Sequence, residues 1–323
     1  MSRQEVGERR GVRAWRPSTI WGRITGAVSS GSSAQAENGF AEAEKPEVRD
    51  RKSVGLHVAG GVALISVRRP EKMNAINSEM WETISWLVHH VSKDESVRVL
   101  VLRGEGENFS TGSDLKELGE LDIARVEDVF HRAEECAAAL EESPLPTIAC
   151  IRGYALGTGL LMALACDMRV AEQNAILGIP IARLGITLSE TFVRRVAALT
   201  GPAKMKDLVY TGRLVEGEEA MRLGLVDRVV PQDRSGLRES IEISRVILQQ
   251  SPASIVAAKR WGGSGSGRAP AAYTHVDPDD FSEGVRAFLE QRSPGFHEAE
   301  DQLEVQKPSS EMHGFKSKGR FGH

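Results

Sequence analysis

Two glycine-containing turns hold the residues of this chain that could do chemistry. The first covers residues 109–116 and follows an apolar run at residues 97–102. The second covers residues 153–159 and joins a β-like segment, residues 146–152, to an apolar helix. Glycine lets a backbone turn sharply and bring its N–H groups close to a ligand. A helix N-terminus adds a positive dipole end, so such turns can stabilise a developing negative oxygen.

Each turn alone is weak evidence, because α/β folds commonly reverse the chain at a glycine-rich junction between a strand and a helix. In the first turn, Asp114 can cap a helix start, which would leave the Ser113 N–H free to point at a ligand. The second turn likewise leads into a helix start, where main-chain N–H groups have no intrahelical acceptor. Together the two turns predict a site with two donors.

The composition argues against several classes of function. The chain has 323 residues, enough to bury a substantial core in one large domain or two small ones. A formal net charge of −4 gives no electrostatic reason to expect a nucleic-acid partner. No apolar run approaches the roughly 20 residues that span a bilayer, so no membrane span is expected. The three cysteines lack metal-ligand spacing, and we expect no metal and reduced, buried thiols in a cytoplasmic protein.

The two ends of the chain differ from its centre. Residues 1–52 are rich in arginine, serine and glutamate and offer little apolar surface, which predicts a disordered extension. An organellar transit peptide is the alternative, although Glu5 and Glu8 argue against it. Residues 301–323 are expected to form a flexible tail.

Between these ends, strand-like runs alternate with helical patterns, which is typical of an α/β fold. The predicted strands cover residues 62–67, 97–102 and 147–151, and the predicted helices between them cover residues 78–91 and 124–140. After residue 202 the pattern becomes mostly helical, with predicted helices at residues 203–210, 216–223 and 234–250.

Two further segments, taken together with the two turns, form four motifs in a fixed order along the chain. The further segments are residues 69–75, Arg-Pro-Glu-Lys-Met-Asn-Ala, and residues 211–227, which include Ala-Met-Arg-Leu-Gly-Leu-Val-Asp. With the two turns, they resemble the enoyl-CoA hydratase/isomerase family, also called crotonases, over roughly residues 54–296. The resemblance implies an α/β fold with a crotonase-like ββα spiral core at residues 53–200 and a helical C-terminal trimerisation region at residues 201–300. It also implies a homotrimer or a dimer of trimers.

The resemblance implies chemistry on an acyl-CoA thioester, with coenzyme A as part of the substrate and no separate cofactor. The thioester oxygen would lie between the N–H groups of Ser113 and Thr158, where family members stabilise an enolate. Lys72 and Lys116 suit the coenzyme A phosphates. All the residues expected to contact this substrate are Lys72, Met73, Ala75, Thr111, Gly112, Asp114, Leu115, Lys116, Tyr154 and Gly157.

The chain departs from the family pattern at three positions. Threonine stands at position 158, where the family usually has glycine. The two hydratase glutamates correspond to Leu161 and Ile181, neither of which can carry a proton. Hydration uses two carboxylates, one to activate water and one to protonate the α-carbon, so ordinary hydration is not expected.

Glu190 is the remaining candidate for proton transfer. Some isomerases of the family place a single carboxylate just after the Leu184-Gly185 step. In an apolar pocket, desolvation would raise the pKa of Glu190 and suit it to move a proton between two carbons. The competing interpretation is an ordinary first-turn helix residue that is stabilised by the dipole.

These observations favour an enoyl-CoA isomerase-like enzyme. The alternatives are a decarboxylase of malonyl-type thioesters and a catalytically silent acyl-CoA-binding homologue.

Three other polar residues are expected to have no catalytic role. Asp167 is expected to be structural, and His89 and His90 are expected to be exposed to solvent. The glycine- and serine-rich stretch at residues 262–267 predicts a flexible link or lid. Residues 281–289 beyond it resemble the closing helix of the family.

Overall fold

The computed structural model describes residues 52–262 and 275–296. The extension predicted for residues 1–52, apart from its last residue, lies outside the described residues, as does the tail at residues 301–323. The glycine- and serine-rich link also lies outside them from residue 263 onward.

The described residues have a mixed α/β architecture, as predicted. The strands are β1 (Val54–Ala59), β2 (Val62–Val67), β3 (Val99–Gly104), β4 (Thr147–Ile151), β5 (Tyr154–Leu156), β6 (Met168–Glu172), β7 (Ile176–Gly178), β8 (Leu214–Glu216) and β9 (Arg228–Val230). Six of them form a sheet in the order β1-β2-β3-β4-β6-β9, and β5, β7 and β8 form a small second sheet. β1 and β2 are antiparallel, whereas every other neighbouring pair in the large sheet is parallel.

Helices connect and cover these strands. They are α1 (Ser78–Val91), α2 (Leu115–Glu120), α3 (Ile123–Glu142), α4 (Thr158–Leu164), α5 (Glu190–Thr200), α6 (Pro202–Thr211), α7 (Gly217–Leu223), α8 (Gly236–Leu248), α9 (Pro252–Gly262) and α10 (Pro278–Glu290). Short 3-10 turns lie at Pro70–Lys72 and Pro180–Leu184.

The burial of the strands and helices follows from their sequence patterns. Every residue of β2 is buried, as expected for a strand in a sheet that is covered on both faces. In α1, Asn77 caps the first turn by accepting from the Met80 N–H, and an apolar face that includes Trp81 and Ile84 is fully buried. This face packs against α3.

The predicted strand at residues 62–67 and the predicted helix at residues 78–91 match β2 and α1. The helices predicted after residue 202 match α6, α7 and α8 within two residues at either end. The strands that the pattern missed include β5, β7, β8 and β9, each only three residues long. β9 pairs with β6, so the large sheet takes its last strand from the region predicted to be helical.

The cysteines are free and buried, as expected from their apolar surroundings. Burial raises the pKa of Cys150 and of Cys166 to about 12, so both thiols stay protonated at neutral pH. Within residues 52–262 and 275–296, no helix has both the length and the apolarity that crossing a membrane requires.

A lysine on α9 connects that helix to the start of β4. The Lys259 Nζ donates to the carbonyl oxygen of Leu145 at 2.7 Å and to Asp167 Oδ2 at 2.8 Å. Asp167 also accepts from the Thr147 N–H at 2.7 Å and from its hydroxyl at 3.0 Å. These contacts give Asp167 the structural role that the sequence suggested, and His89 and His90 are exposed on α1 as expected.

We expect Lys259→Met to lower the free energy of unfolding by about 1–3 kcal/mol, because several hydrogen bonds donated by one nearly buried ammonium are lost together. Chemical denaturation measures this change. The matched control is Lys204→Met on α6, where the lysine is exposed and the expected change is within about 0.5 kcal/mol. Equal stability of the two variants would contradict the assigned role of Lys259.

Candidate active site

The two turns predicted from the sequence meet in the structure. Ser110 of the first turn forms a parallel bridge with Ala155 of β5. Its N–H donates to the Tyr154 carbonyl at 3.0 Å, and its carbonyl accepts from the Leu156 N–H at 3.0 Å. The first turn is therefore hydrogen-bonded to the strand that leads into the second.

Glycine is required where the turns touch. Gly157 has φ 53° and ψ −128°, a conformation that side chains other than glycine's rarely adopt. A Cβ at Gly159 would lie 2.7 Å from the Ser110 carbonyl oxygen and 2.8 Å from its hydroxyl. The absence of both side chains allows α4 to begin directly against the first turn.

The two predicted donors, Ser113 and Thr158, lie side by side at this junction. The Ser113 N–H donates to Thr158 Oγ1 at 2.8 Å, and the two hydroxyl oxygens are 3.0 Å apart. The expectation that the Ser113 N–H stays free is therefore wrong, because the Thr158 side chain supplies an acceptor that glycine would lack. The Thr158 N–H is the first of α4, where no intrahelical acceptor is available to it.

Asp114 organises the first turn, as predicted, by capping α2. Its carboxylate accepts from the Lys116 N–H at 3.1 Å, from Arg69 Nη2 at 3.0 Å and from Lys72 Nζ at 3.2 Å. Burial opposes ionisation, but the hydrogen bonds from Lys72, Arg69 and the Lys116 N–H outweigh it and lower the pKa of Asp114. Arg69 also donates to the Ala75 carbonyl at 2.9 Å, which holds residues 69–75 beside the turn.

The structure brings most of the predicted substrate contacts into one neighbourhood. The Met73 carbonyl accepts from the Thr111 N–H at 3.2 Å, and the Gly112 carbonyl accepts from the Ile76 N–H at 2.8 Å. The side chains of Met73, Leu115 and Lys116 are exposed. Tyr154 and Gly157 lie on β5 and at the start of α4, across the junction. Of the two predicted phosphate-binding lysines, Lys72 is committed to Asp114 in this structure.

Glu190 does not have the surroundings expected of it. It begins α5, where Ser189 caps the helix by accepting from the Phe192 N–H. The Glu190 side chain is 76% exposed and forms an ion pair with Arg194 at 2.5 Å. The expected apolar pocket is therefore absent around this carboxylate, which has the geometry of a first-turn helix residue.

The positions that resemble those of the hydratase glutamates are apolar and buried. Leu161 is fully buried in α4, one turn after Gly157, and its N–H donates to the Gly157 carbonyl at 3.0 Å. Ile181 is also buried, and its Cγ2 would lie 3.9 Å from a Cβ built on Gly157. Two buried apolar side chains therefore lie beside the second turn.

Two residues that build the site, Asn74 and Ser110, were not predicted from the sequence to belong to it. Asn74 is fully buried in a left-handed conformation with φ 56°, and its Nδ2 donates to the carbonyls of Glu105 at 2.8 Å and Asn108 at 2.6 Å. Its own carbonyl accepts from the Ser110 hydroxyl at 2.8 Å. An asparagine shortly after a proline could have signalled a left-handed turn, but the partners of Ser110 depend on tertiary structure.

Within the described part of the chain, no group of three or more His, Cys, Asp or Glu side chains is placed to hold a metal ion. The junction of the first turn with the start of α4 provides the main-chain N–H groups and the hydroxyls of Ser113 and Thr158. Buried apolar side chains, including Leu161 and Ile181, lie beside the second turn. N–H and hydroxyl donors of this kind stabilise an oxygen that gains negative charge during a reaction. The fold and the junction together define an α/β protein in which two strand-to-helix turns bring main-chain N–H groups together.

Comparisons with known proteins identify the family to which the chain belongs. The family model described as Enoyl-CoA hydratase/isomerase matches residues 57–299. The putative enoyl-CoA hydratase/isomerase YngF of Bacillus subtilis is 36% identical over 242 residues, which cover 72% of this chain and 92% of that protein. The short-chain-enoyl-CoA hydratase of Clostridium acetobutylicum is 31% identical over 209 residues, which cover 64% and 80%.

A solved structure agrees with these sequence matches. Pseudomonas aeruginosa DspI aligns with a TM-score of 0.71 at 29% identity, over 78% of this chain and 99% of that one. The chain belongs to the enoyl-CoA hydratase/isomerase family, whose enzymes process acyl-CoA thioesters, and it has the crotonase fold.

We expect Gly159→Ala to lower the free energy of unfolding by about 1–3 kcal/mol, because the added Cβ overlaps the buried Ser110 and forces the turns apart. The matched control is Gly119→Ala in α2, where a Cβ meets nothing within 4 Å. That substitution should be neutral or stabilise by up to about 1 kcal/mol through helix propensity. Thermal and chemical unfolding of both variants measure the difference, and equal effects would contradict the close approach of the turns.

Asp114→Asn tests the charge at the first turn, because asparagine keeps the capping function and removes the ion pairs. The lowered pKa of Asp114 means that its ionised form stabilises the folded state above the ordinary aspartate pKa of about 4. This contribution is lost as the pH falls through the lower pKa of the folded state.

Unfolding free energies of wild type and Asp114→Asn, measured from neutral pH downward, should therefore differ most at neutral pH and converge in acid. A difference between the two proteins that stays constant over this range would show that the charge of Asp114 contributes nothing.

Proposed function

We propose that the protein forms an enolate of an acyl-CoA thioester and moves a proton between two of its carbons, as an enoyl-CoA isomerase does. The observation that carries this proposal is the junction at which Ser113 meets Thr158 at 2.8 Å. A thioester oxygen held there would face the N–H groups of both residues. Donors of this kind contribute about 3–4 kcal/mol each to a transition state with charge on that oxygen.

The buried apolar residues Leu161 and Ile181 beside the second turn argue against ordinary hydration. The relative from Clostridium acetobutylicum is named a hydratase, and addition of water by two carboxylates needs a general base and a general acid. Here Leu161 and Ile181 stand where the resemblance places those groups, and both are buried. A reaction that needs fewer proton carriers fits this site better.

Glu190 is the proposed proton carrier. To act, it must leave its ion pair with Arg194, and exposed pairs of this kind are worth only about 0–1 kcal/mol. That cost is small beside the contribution of the two N–H donors. Its exposure at the start of α5 leaves the side chain free to change direction when a substrate binds.

Decarboxylation of a malonyl-type thioester is the second candidate, and the exposure and ion pair of Glu190 favour it. In this reaction the bond between the α-carbon and the carboxylate breaks, and carbon dioxide leaves. The electron pair of the broken bond passes into the thioester, where the two N–H groups stabilise the resulting enolate. Water then supplies the proton to the α-carbon, and the hydroxide left behind combines with carbon dioxide to give bicarbonate, so the chain needs no carboxylate of its own.

Exchange of the α-proton in deuterated water tests the isomerase proposal. The purified protein is incubated with saturated and β,γ-unsaturated acyl-CoAs, and mass spectrometry follows deuterium uptake. We expect uptake by the wild type and at least a 100-fold loss in Glu190→Gln, since removal of a general base typically costs about 10²–10⁴-fold. Binding of acyl-CoA should be retained.

The matched control is Glu218→Gln, which removes an exposed first-turn carboxylate from α7. It should leave the exchange unchanged. Exchange that survives in Glu190→Gln would rule out Glu190 as the base. Release of carbon dioxide from malonyl-CoA, without exchange on the other thioesters, would favour the decarboxylase.

A homotrimeric assembly and a cytoplasmic location remain predictions.

A further inference from the structure

We propose that the Thr158 hydroxyl is an internal ligand of the donor pair, which occupies the place of the substrate oxygen in the free protein and must turn away before a thioester binds. This inference rests on the proposed function, because it concerns access to the same two N–H groups.

The Ser113 N–H faces one acceptor position, and Thr158 Oγ1 lies in it. Thr158 Oγ1 accepts from that N–H at 2.8 Å, which is the distance at which a carbonyl oxygen would be bound. An N–H group aims its proton at one well-aligned acceptor. A thioester oxygen and the Thr158 hydroxyl therefore compete for the same position.

The hydroxyl is held in place from two sides. Besides the Ser113 N–H, it contacts the Ser113 hydroxyl at 3.0 Å. Thr158 is only 7% exposed, so water does not readily replace these partners. As a β-branched residue at the start of α4, threonine has few side-chain rotamers available. The occupied arrangement is thus the resting state of the site.

The space around the hydroxyl exists because a neighbouring side chain is missing. A Cβ at Gly112 would lie 2.8 Å from Thr158 Oγ1 and 3.1 Å from the Thr158 nitrogen. Gly112 has φ 90°, a conformation that suits glycine. The same gap that admits the hydroxyl gives a substrate oxygen access to both N–H groups once the hydroxyl turns away.

The consequence is a constant penalty on binding. A substrate binds only to the fraction of molecules in which the hydroxyl has moved, so its apparent dissociation constant rises by the inverse of that fraction. The penalty is the same for the bound thioester and for the enolate. It therefore raises KM and leaves kcat nearly unchanged.

The first test follows the Ser113 amide in the free protein and does not depend on activity. With [13C′]glycine and [15N]serine labels, an HNCO experiment detects only serines that follow glycine, and the signal that disappears in Ser113→Ala belongs to Ser113. In Thr158→Ala the Ser113 proton should shift upfield and exchange at least 10-fold faster with solvent. In Thr158→Ser, which keeps an acceptor, it should stay close to the wild-type position.

The second test measures binding of acetyl-CoA by calorimetry. Thr158→Gly and Thr158→Ala should bind on the order of 10-fold more tightly than wild type, since the net contribution of about one hydrogen bond is released. With a thioester that is turned over, KM should fall by a similar factor. Thr83→Ala is the control, because Thr83 is a buried helical threonine whose hydroxyl bonds to the Glu79 carbonyl of its own helix.

The outcomes separate this inference from the proposed function. An unmoved Ser113 amide in Thr158→Ala, with acetyl-CoA binding intact, would overturn the internal ligand alone. If the Ser113 amide proton shifts and exchanges faster in Thr158→Ala but acetyl-CoA binds more weakly, the internal ligand is also overturned, because the hydroxyl would then be a part of the binding site. If the amide proton shifts but no variant binds acetyl-CoA, the proposed function is overturned, and the competition with it.

Discussion

The contact between Ser110 and Gly159 is the constraint on which the rest of the site depends. Ser110 is fully buried, and all of its polar groups are used: its N–H and carbonyl bond to β5, and its hydroxyl donates to Asn74 and accepts from the Gly112 N–H. The same residue thus joins three segments that are distant in sequence. Only a glycine at position 159 lets α4 start against it, so one missing side chain decides whether the two donors meet.

A second set of interactions fixes the segment that flanks this contact. Asp114 is the common acceptor of Arg69 and Lys72, and Arg69 also binds the Ala75 carbonyl. An isolated buried charge would be costly, but here three donors surround it. The result is that one carboxylate ties residues 69–75 to the first turn. Backbone position at Ser113 is therefore set by charged side chains that need not touch a substrate themselves.

Much of this could be read from the sequence, and the reasons for the failures are physical. The apolar run of β2 and the helical period of α1 are strong enough to place both elements correctly, and the capping role of Asp114 follows from local chemistry. Three-residue strands such as β9 carry too few residues to show a period, and their existence depends on a neighbour such as β6. The occupied Ser113 N–H could not be foreseen, because it depends on one rotamer of Thr158 and on the approach of a distant turn.

The two halves of the proposed chemistry depend on different parts of the chain. The proposed stabilisation of an enolate would use main-chain N–H groups, which every residue except proline supplies, so a threonine at position 158 keeps a donor. The proposed proton transfer would need a carboxylate, and Leu161 and Ile181, the buried residues beside the second turn, carry none. Membership of the family therefore implies an acyl-CoA thioester, whereas the reaction carried out on it depends on side chains at particular positions. Buried apolar residues beside a donor pair lower the local dielectric, which increases the effect of N–H groups on a charged oxygen.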